Sequence, residues 1–366
     1  PRQVEHQLEV VALDTKVGHL WVHALQAGQL LFELLGGFRR PVFFSSPLAE
    51  RLKLGLEAVA AELFLNRAHL LLQKVLALLL VEFDAHLVGD VVLAFEQVLL
   101  VAQVLEHLLH KDKPFWVVDT HAGGGLYDLT SGYATKSGES ATGIATLWPL
   151  RRDKSIPEAV RGLLKQVAAL NDGDELKWYP GSPQLAAQML REGDHLRLFE
   201  LHPTEIKLLE NHFAGVKRGV SIQCADGSAS LRGCLPPPPR RGLVHIDPPY
   251  EIKDDYRRVL QTLKDAIPKF TSGTYAIWYP EVARREAIQF PAQLKRLASE
   301  LPKVDWLHAT LRVKGAERDG VGLFGSGMFI INPPYTLYDK LAEALPWLVE
   351  TIGQDDHAAY TLEAQQ

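Results

Sequence analysis

The sequence predicts an α/β protein built on a mainly parallel sheet, and three observations carry that prediction. From about Val104 onward, short β-rich runs bounded by Gly, Pro or Asp alternate with helix-length segments. Each run is almost continuously apolar, as strands are when helices cover both faces of a sheet. Most runs end at or just before an acid or an Asn, which sets polar groups along the carboxyl ends of the strands, where open α/β sheets bind ligands. In chain order the strands are Phe115 to Asp119, Leu196 to Glu200, Val220 to Cys224, Gly242 to Asp247, Thr274 to Trp278 and Met328 to Asn332. Between the first two, Glu158 to Leu170 and Gln184 to Arg191 read as helices, so residues 126–195 are expected to form a small helical insertion.

Composition narrows the possibilities. The 366 residues, 47% hydrophobic and 23% charged with a net charge of -5, suit a folded globular chain and argue against wholesale electrostatic capture of nucleic acid. Two cysteines, Cys224 and Cys234, make neither a disulfide framework nor a four-ligand zinc site, and no H-E-x-x-H run occurs, so no metal is expected. The richest apolar run, Leu70 to Phe83, is interrupted by Gln73, Lys74 and Glu82, short of a membrane span. Pro1 to Val10 lacks the order of a signal peptide, and the expected setting is cytoplasmic.

Residues 1–103 stand apart. Leu and Val dominate, turn signals are sparse, and the apolar residues of Leu52 to Leu65 and Leu70 to Leu80 nearly encircle a helix instead of forming one stripe. Buried helices read that way, and so does translation from another frame.

The first strand end reads Asp119-Thr120-His121-Ala122-Gly123-Gly124-Gly125, where glycines let the backbone turn sharply and approach a ligand. Alone, this reads equally as an ordinary βα turn. Two further acids favour a nucleoside site: Glu200 ends the next strand, where a carboxylate can accept two ribose hydroxyls, and Asp226 with Gly227 follows the third, where it can meet an adenine amino group. A dinucleotide fold would place its ribose acid about 20 residues after the glycines, whereas Glu200 lies 75 positions after Gly125. Ser182 in the turn Trp178 to Pro183 either returns to the cofactor or caps the following helix.

The most specific feature is Ile246-Asp247-Pro248-Pro249-Tyr250, directly after an apolar strand. It has the form [D/N/S]-P-P-[Y/F/W] of enzymes that methylate exocyclic or amide nitrogens. The Asp247 carboxylate and the Pro248 carbonyl can accept hydrogen bonds from an amino group while the Tyr250 ring stacks on a planar base. Accepting those N–H bonds localises the amine lone pair toward a sulfonium methyl. Asn332-Pro333-Pro334-Tyr335 repeats the pattern on a later strand, where a strand-ending turn is the expectation.

With these motifs in hand, the stretch from about Val104 to Tyr360 resembles the RlmJ family, bacterial enzymes that use S-adenosylmethionine to methylate adenine N6 in large-subunit (23S) ribosomal RNA. The resemblance rests on Lys111 to Phe115, Asp119 to Gly123, Tyr179 to Pro183, Glu200 to Pro203, Ala225 to Gly227, Asp247 to Tyr250, Trp278 to Pro280 and Ser326 to Met328, in the family's order. It implies a class I (Rossmann-like) methyltransferase domain over residues 104–366. Asp119, His121, Gly123, Ser182, Glu200, Asp226, Gly227 and Asp247 would hold S-adenosylmethionine, and Asp247, Pro248 and Tyr250 would act at the target amine.

The family's amino-terminal motif, of the type Tyr-Arg-His followed by His-Ala-Gly-Asn and Asp-Val-x-Lys-His, has no match in residues 1–103. That region is therefore expected to be atypical, from a shifted frame or a misassigned start, or else a domain that replaced the motif. Two other functions follow as alternatives: a noncatalytic RNA or nucleoside binder, and a methylase of DNA adenine or protein glutamine. For the RNA, Arg151, Arg152, Lys217, Arg218, Arg240, Arg241, Lys253, Arg257 and Arg258 are candidate phosphate contacts, with Arg240, Arg241 and Lys253 preferred because they flank the D-P-P-Y strand. The expected partner is single-stranded RNA or a flipped adenine, with the enzyme acting as a monomer.

Overall fold

A computed structural model describes residues 95–130, 143–216, 219–316 and 322–365, all within the compact unit Ala85–Gln366. The expectations for residues 1–94, and for Lys217 and Arg218, lie outside the described residues.

The described chain opens with helix α1 over residues 95–109, whose positions 95–105 are all buried. A helix apolar on every side belongs in a core, and here residues 95–103, set apart in the sequence reading, pack into the same core as the strands. Three polar residues on it find partners: Ser326 donates to Glu96, while Lys340 reaches both Gln103 and Glu106. Gln97 turns toward the strand ends discussed below.

Strand β1 (Trp116–Asp119) is followed by an insertion that holds more than helices. Strand β2 (Leu126–Asp128) pairs antiparallel with β3 (Trp178–Pro180), and between them lie α2 (Ile144–Leu147), a 3-10 turn and α3 (Glu158–Ala168). Helix α4 (Ser182–Met189) leads to β4 (His195–Glu200), α5 (Glu205–His212), β5 (Val220–Cys224), α6 (Gly227–Cys234), β6 (Gly242–Ile246) and α7 (Asp254–Ala266). The chain continues through β7 (Thr274–Glu281), α8 (Arg285–Glu300), β8 (Trp306–Arg312), β9 (Gly325–Ile331), α9 (Leu337–Ile352) and β10 (Ala359–Ala364).

The eight-stranded sheet has the order β10-β8-β9-β7-β6-β1-β4-β5. From β5 to β7 it is parallel, and β9, β8 and β10 add an antiparallel edge. The sequence anticipates the parallel half but neither β8 nor β10, and Asn332 follows β9 rather than the last strand. From β1 the chain moves outward to β4 and β5, then crosses back to β6 on the other side of β1. That reversal opens a crevice beyond the carboxyl ends of the central strands.

Candidate active site

The parallel register aligns the acids. Asp119 at the end of β1 stands opposite His245 on β6, and Glu200 at the end of β4 stands opposite Cys224 on β5. Register neighbours on adjacent strands project to the same face, and so do residues two apart on one strand. His245 Nδ1 accordingly lies 3.3 Å from Asp119 Oδ2, at ion-pair distance though off the direction of a good hydrogen bond. Asp247 follows His245 by two positions.

Asp119 is 1% exposed and His245 is 0% exposed. Burial works against the Asp119 carboxylate, but His245, the Ser182 hydroxyl and the His121 N–H outweigh it and hold its pKa below the ordinary value. The Ser182 hydroxyl donates to Asp119 Oδ2 at 2.5 Å, which removes the capping reading of that serine. Helix α4 begins at Ser182 with Gly181 as its cap residue, so Ser182 ties the helix to β1 and caps nothing.

The glycine loop bends where left-handed backbone is required, with φ of 58° at Gly123 and 83° at Gly125. Glu200 organises it: one carboxylate oxygen accepts the Gly123 N–H at 2.8 Å and the other accepts the N–H of His202 at 2.7 Å. His121 donates its backbone N–H to Asp119 Oδ1, and burial lowers its imidazole to about 4, against the pull of Asp119 and Asp226, which leaves the ring neutral. Asp226 caps α6, accepting the Ala229 N–H at 3.1 Å, and pairs with Arg258 at 2.7 Å. At Gly227 a Cβ would fall 2.1 Å from the Thr120 carbonyl oxygen, so only glycine lets α6 start against the β1 loop.

Beside this edge stands Asp247, partly exposed. Gln97 on α1 donates to its Oδ2 at 2.6 Å, and the same amide nitrogen lies 3.0 Å from His245 Nε2. Burial raises the Asp247 pKa to about 6, with His245 and Gln97 opposing that rise. Pro248 is buried and Pro249 exposed, and Arg284 fastens the loop by donating to the Tyr250 and Glu251 carbonyls.

Tyr250 departs from the expected stacking platform. Its φ of 53° turns the side chain inward, where the ring is 2% exposed against Tyr256, Trp278 and Phe290 and the hydroxyl donates to the Trp278 carbonyl at 2.7 Å. A buried phenol needs an acceptor, and β7 supplies one; Tyr250 here is a wall of the site rather than a free surface.

The basic residues divide differently from the expectation. Arg240 and Arg241 precede β6, and at roughly 3.3 Å per residue along a strand they sit about 20 Å from Asp247, toward the opposite edge of the sheet. Arg241 is spent on structure, donating to the carbonyls of Leu108 and Lys113 and lying over the Phe115 ring. Lys253 does lie past the carboxyl end of β6, largely exposed and 3.8 Å from Glu286. Arg151 and Arg152 both pair with Asp174, and Arg257 with Asp254.

Sequence reasoning singled out neither Gln97 nor His245. Their signal was polarity out of place: a Glu-Gln pair within the apolar run of α1, and a histidine within the apolar strand before Asp247.

Residues 112–364 match the model of the family described as ribosomal RNA large subunit methyltransferase D, RlmJ. Ribosomal RNA large subunit methyltransferase J of Haemophilus influenzae is 39% identical over 261 residues, covering 71% of this chain and 90% of that protein. The Escherichia coli protein of the same name is 39% identical over 248 residues, 67% of this chain and 84% of its own length. A crystal structure of a Legionella pneumophila protein, 31% identical, superposes with a TM-score of 0.66 and covers 76% of this chain and 97% of that one. Similarity of this extent in both sequence and fold places the chain in the RlmJ family of large-subunit ribosomal RNA methyltransferases.

Proposed function

We propose that the protein is an S-adenosylmethionine-dependent methyltransferase that modifies the N6 amine of an adenine in 23S ribosomal RNA. The observation that carries this reading is the partly exposed Asp247 carboxylate beside the acids of the glycine-loop edge, with Oδ2 engaged by Gln97.

The residues present suit the cofactor. Glu200 would accept the ribose hydroxyls, Asp226 an adenine amino group, and the backbone of His121 to Gly125 would allow close approach, with Asp119, Ser182 and Gly227 fixing the geometry behind them. When bound, S-adenosylmethionine supplies an electrophilic methyl group. The protein's part is to hold the amine: Asp247 and the Pro248 carbonyl accept its two N–H bonds, which directs the nitrogen lone pair away from the ring. The methylated amine must then lose a proton, and a carboxylate whose pKa is raised to about 6 is matched to accept it near neutral pH. A paired adenine does not present N6 in this way, so a single-stranded or flipped base is the substrate form. Lys253 and its neighbours on the active edge would meet the phosphates.

The test is transfer of labelled methyl to unmodified large-subunit ribosomal RNA, with product digestion to locate the label on adenine N6 and an Asp247→Ala control. Transfer that survives the substitution, or label on another atom, rejects the assignment.

A further inference from the structure

Four side chains form one line behind the target site. Asp119 Oδ2 faces His245 Nδ1 at 3.3 Å, His245 Nε2 faces Gln97 Nε2 at 3.0 Å, and Gln97 Nε2 donates to Asp247 Oδ2 at 2.6 Å. Asp119, His245 and Gln97 are all buried, at 1%, 0% and 7% exposure. No role in methyl transfer attaches to His245 from the family motifs, since it belongs to the strand and not to D-P-P-Y.

We propose that His245 is a positioning residue for Asp247: acting through the Gln97 amide, it fixes the proton form of the acceptor carboxylate, so that the two groups gain their protons together. This rests on Asp247 being the acceptor.

The argument is one of donors and acceptors. An amide NH2 has two hydrogens. With one given to Asp247 and the other to His245 Nε2, that ring nitrogen must be bare, the ring neutral, and its proton on Nδ1 toward Asp119. Asp247 is then an anion with one oxygen free for the target amine. If His245 becomes imidazolium, Nε2–H and the amide NH2 are two donors face to face. Turning the amide over presents its oxygen to Nε2–H, but the same oxygen then confronts Asp247, an arrangement satisfied only when Asp247 is protonated and donates. Two arrangements thus satisfy the Gln97 amide and both groups it meets, with His245 Nδ1 held at ion-pair distance from Asp119, and each mixed one leaves two donors or two acceptors in contact.

The other titratable groups around this line are few. Asp119 on β1 attracts the His245 proton, Asp247 adds to that pull beyond the strand end, and Tyr250 stands near Asp247 as a neutral phenol. His121, the remaining neighbour, stays neutral because burial lowers it to about 4. Burial lowers the His245 pKa, but Asp119 and Asp247 more than offset that and hold it above its ordinary value, while Asp247 is raised to about 6. The active form, with His245 neutral and Asp247 ionised, is therefore complete only above the raised His245 pKa and is lost as pH falls below it toward about 6, the two protons entering together across that interval.

The experiment is the pH profile of kcat/KM for methyl transfer to ribosomal RNA, run beside an NMR titration of the full chain without RNA. Below the limb, log kcat/KM should fall by two per pH unit in the unsubstituted protein and by one in His245→Gln, which keeps a hydrogen-bonding group but does not titrate. Imidazole 15N shifts at pH 8 should show a bare Nε2 and a protonated Nδ1, with Asp247 13Cγ and His245 titrating at a common midpoint. A slope of one that His245→Gln leaves unchanged would overturn the proposal, as would an Nε2–H tautomer at pH 8 or separate midpoints. Should methyl transfer be absent altogether, the acceptor reading fails, and the NMR arm still decides the coupling.

Discussion

The chain carries the same four-residue pattern twice, and the two copies behave as different objects. Asp247-Pro248-Pro249-Tyr250 follows parallel strand β6 and meets the crevice, with its acid joined to Gln97 and its tyrosine enclosed by aromatic rings. Asn332-Pro333-Pro334-Tyr335 follows β9, which runs antiparallel to β7, so its motif emerges at the opposite edge of the sheet. There Asn332, at a φ of 53°, donates from Nδ2 to the carbonyls of Thr271 and Gly273, and Tyr335 is 83% exposed. Strand direction, rather than the motif, decides which copy can do chemistry.

The sharpest break in that comparison is Asp247→Ala against Asn332→Ala. The first removes an acceptor that strengthens in the transition state and should lower kcat about 10²- to 10³-fold. The second should leave kcat unchanged and lower unfolding free energy by about 1–2 kcal/mol, through two lost hydrogen bonds and a left-handed backbone that alanine tolerates less well; denaturant titration measures it. Equal kinetic losses would mean the two edges are not functionally distinct.

A similar contrast separates two glycines. Gly227→Ala drives a methyl into the Thr120 carbonyl at the cofactor edge and should weaken S-adenosylmethionine binding about tenfold or more by calorimetry. Gly327→Ala pushes against the Tyr279 ring, 2.2 Å from the Cβ position, and should cost about 1–3 kcal/mol of stability with cofactor affinity intact.

The basic residues give a third, smaller contrast. Lys253→Ala should reduce the salt slope of RNA binding by about one, whereas Arg241→Ala should lower the melting temperature and leave that slope alone. Smallest of all, Tyr250→Phe forfeits the bond to the Trp278 carbonyl, about 1 kcal/mol, and Tyr335→Phe should change neither stability nor rate.

Much of the parallel half was legible: the buried runs of β1 and β6, and that of β4, differ from the expected limits by one residue at one end, and the edge strand Val220–Cys224, though half exposed, has the expected limits. The antiparallel edge hid for local reasons. Strand β7 runs through Pro280, which reads as a stop, and β9 starts with Gly325-Ser326-Gly327, which reads as a loop although Gly327 is there to admit the Tyr279 ring. Strand β10 is half exposed and polar, and β2 and β3 have three residues each, too few for any period to show. At the site, the acids were found because they end strands, whereas the depth of Tyr250 and the reach of Gln97 across 150 positions are properties of packing that no spacing encodes.

The position of Glu205 sets the electrostatics beside the glycine loop. In dinucleotide folds the glycine loop after the first strand receives a pyrophosphate on bare N–H groups. Here Glu205 opens α5 and its carboxylate is bonded by the backbone of Gly124, while burial and the nearby Glu200 raise its pKa. A carboxyl side chain thus takes up a backbone N–H of the glycine loop, beside Glu200. Polyphosphates such as ATP and NAD should therefore compete poorly with a sulfonium, which carries positive charge and no phosphate, an expectation that a competition titration checks.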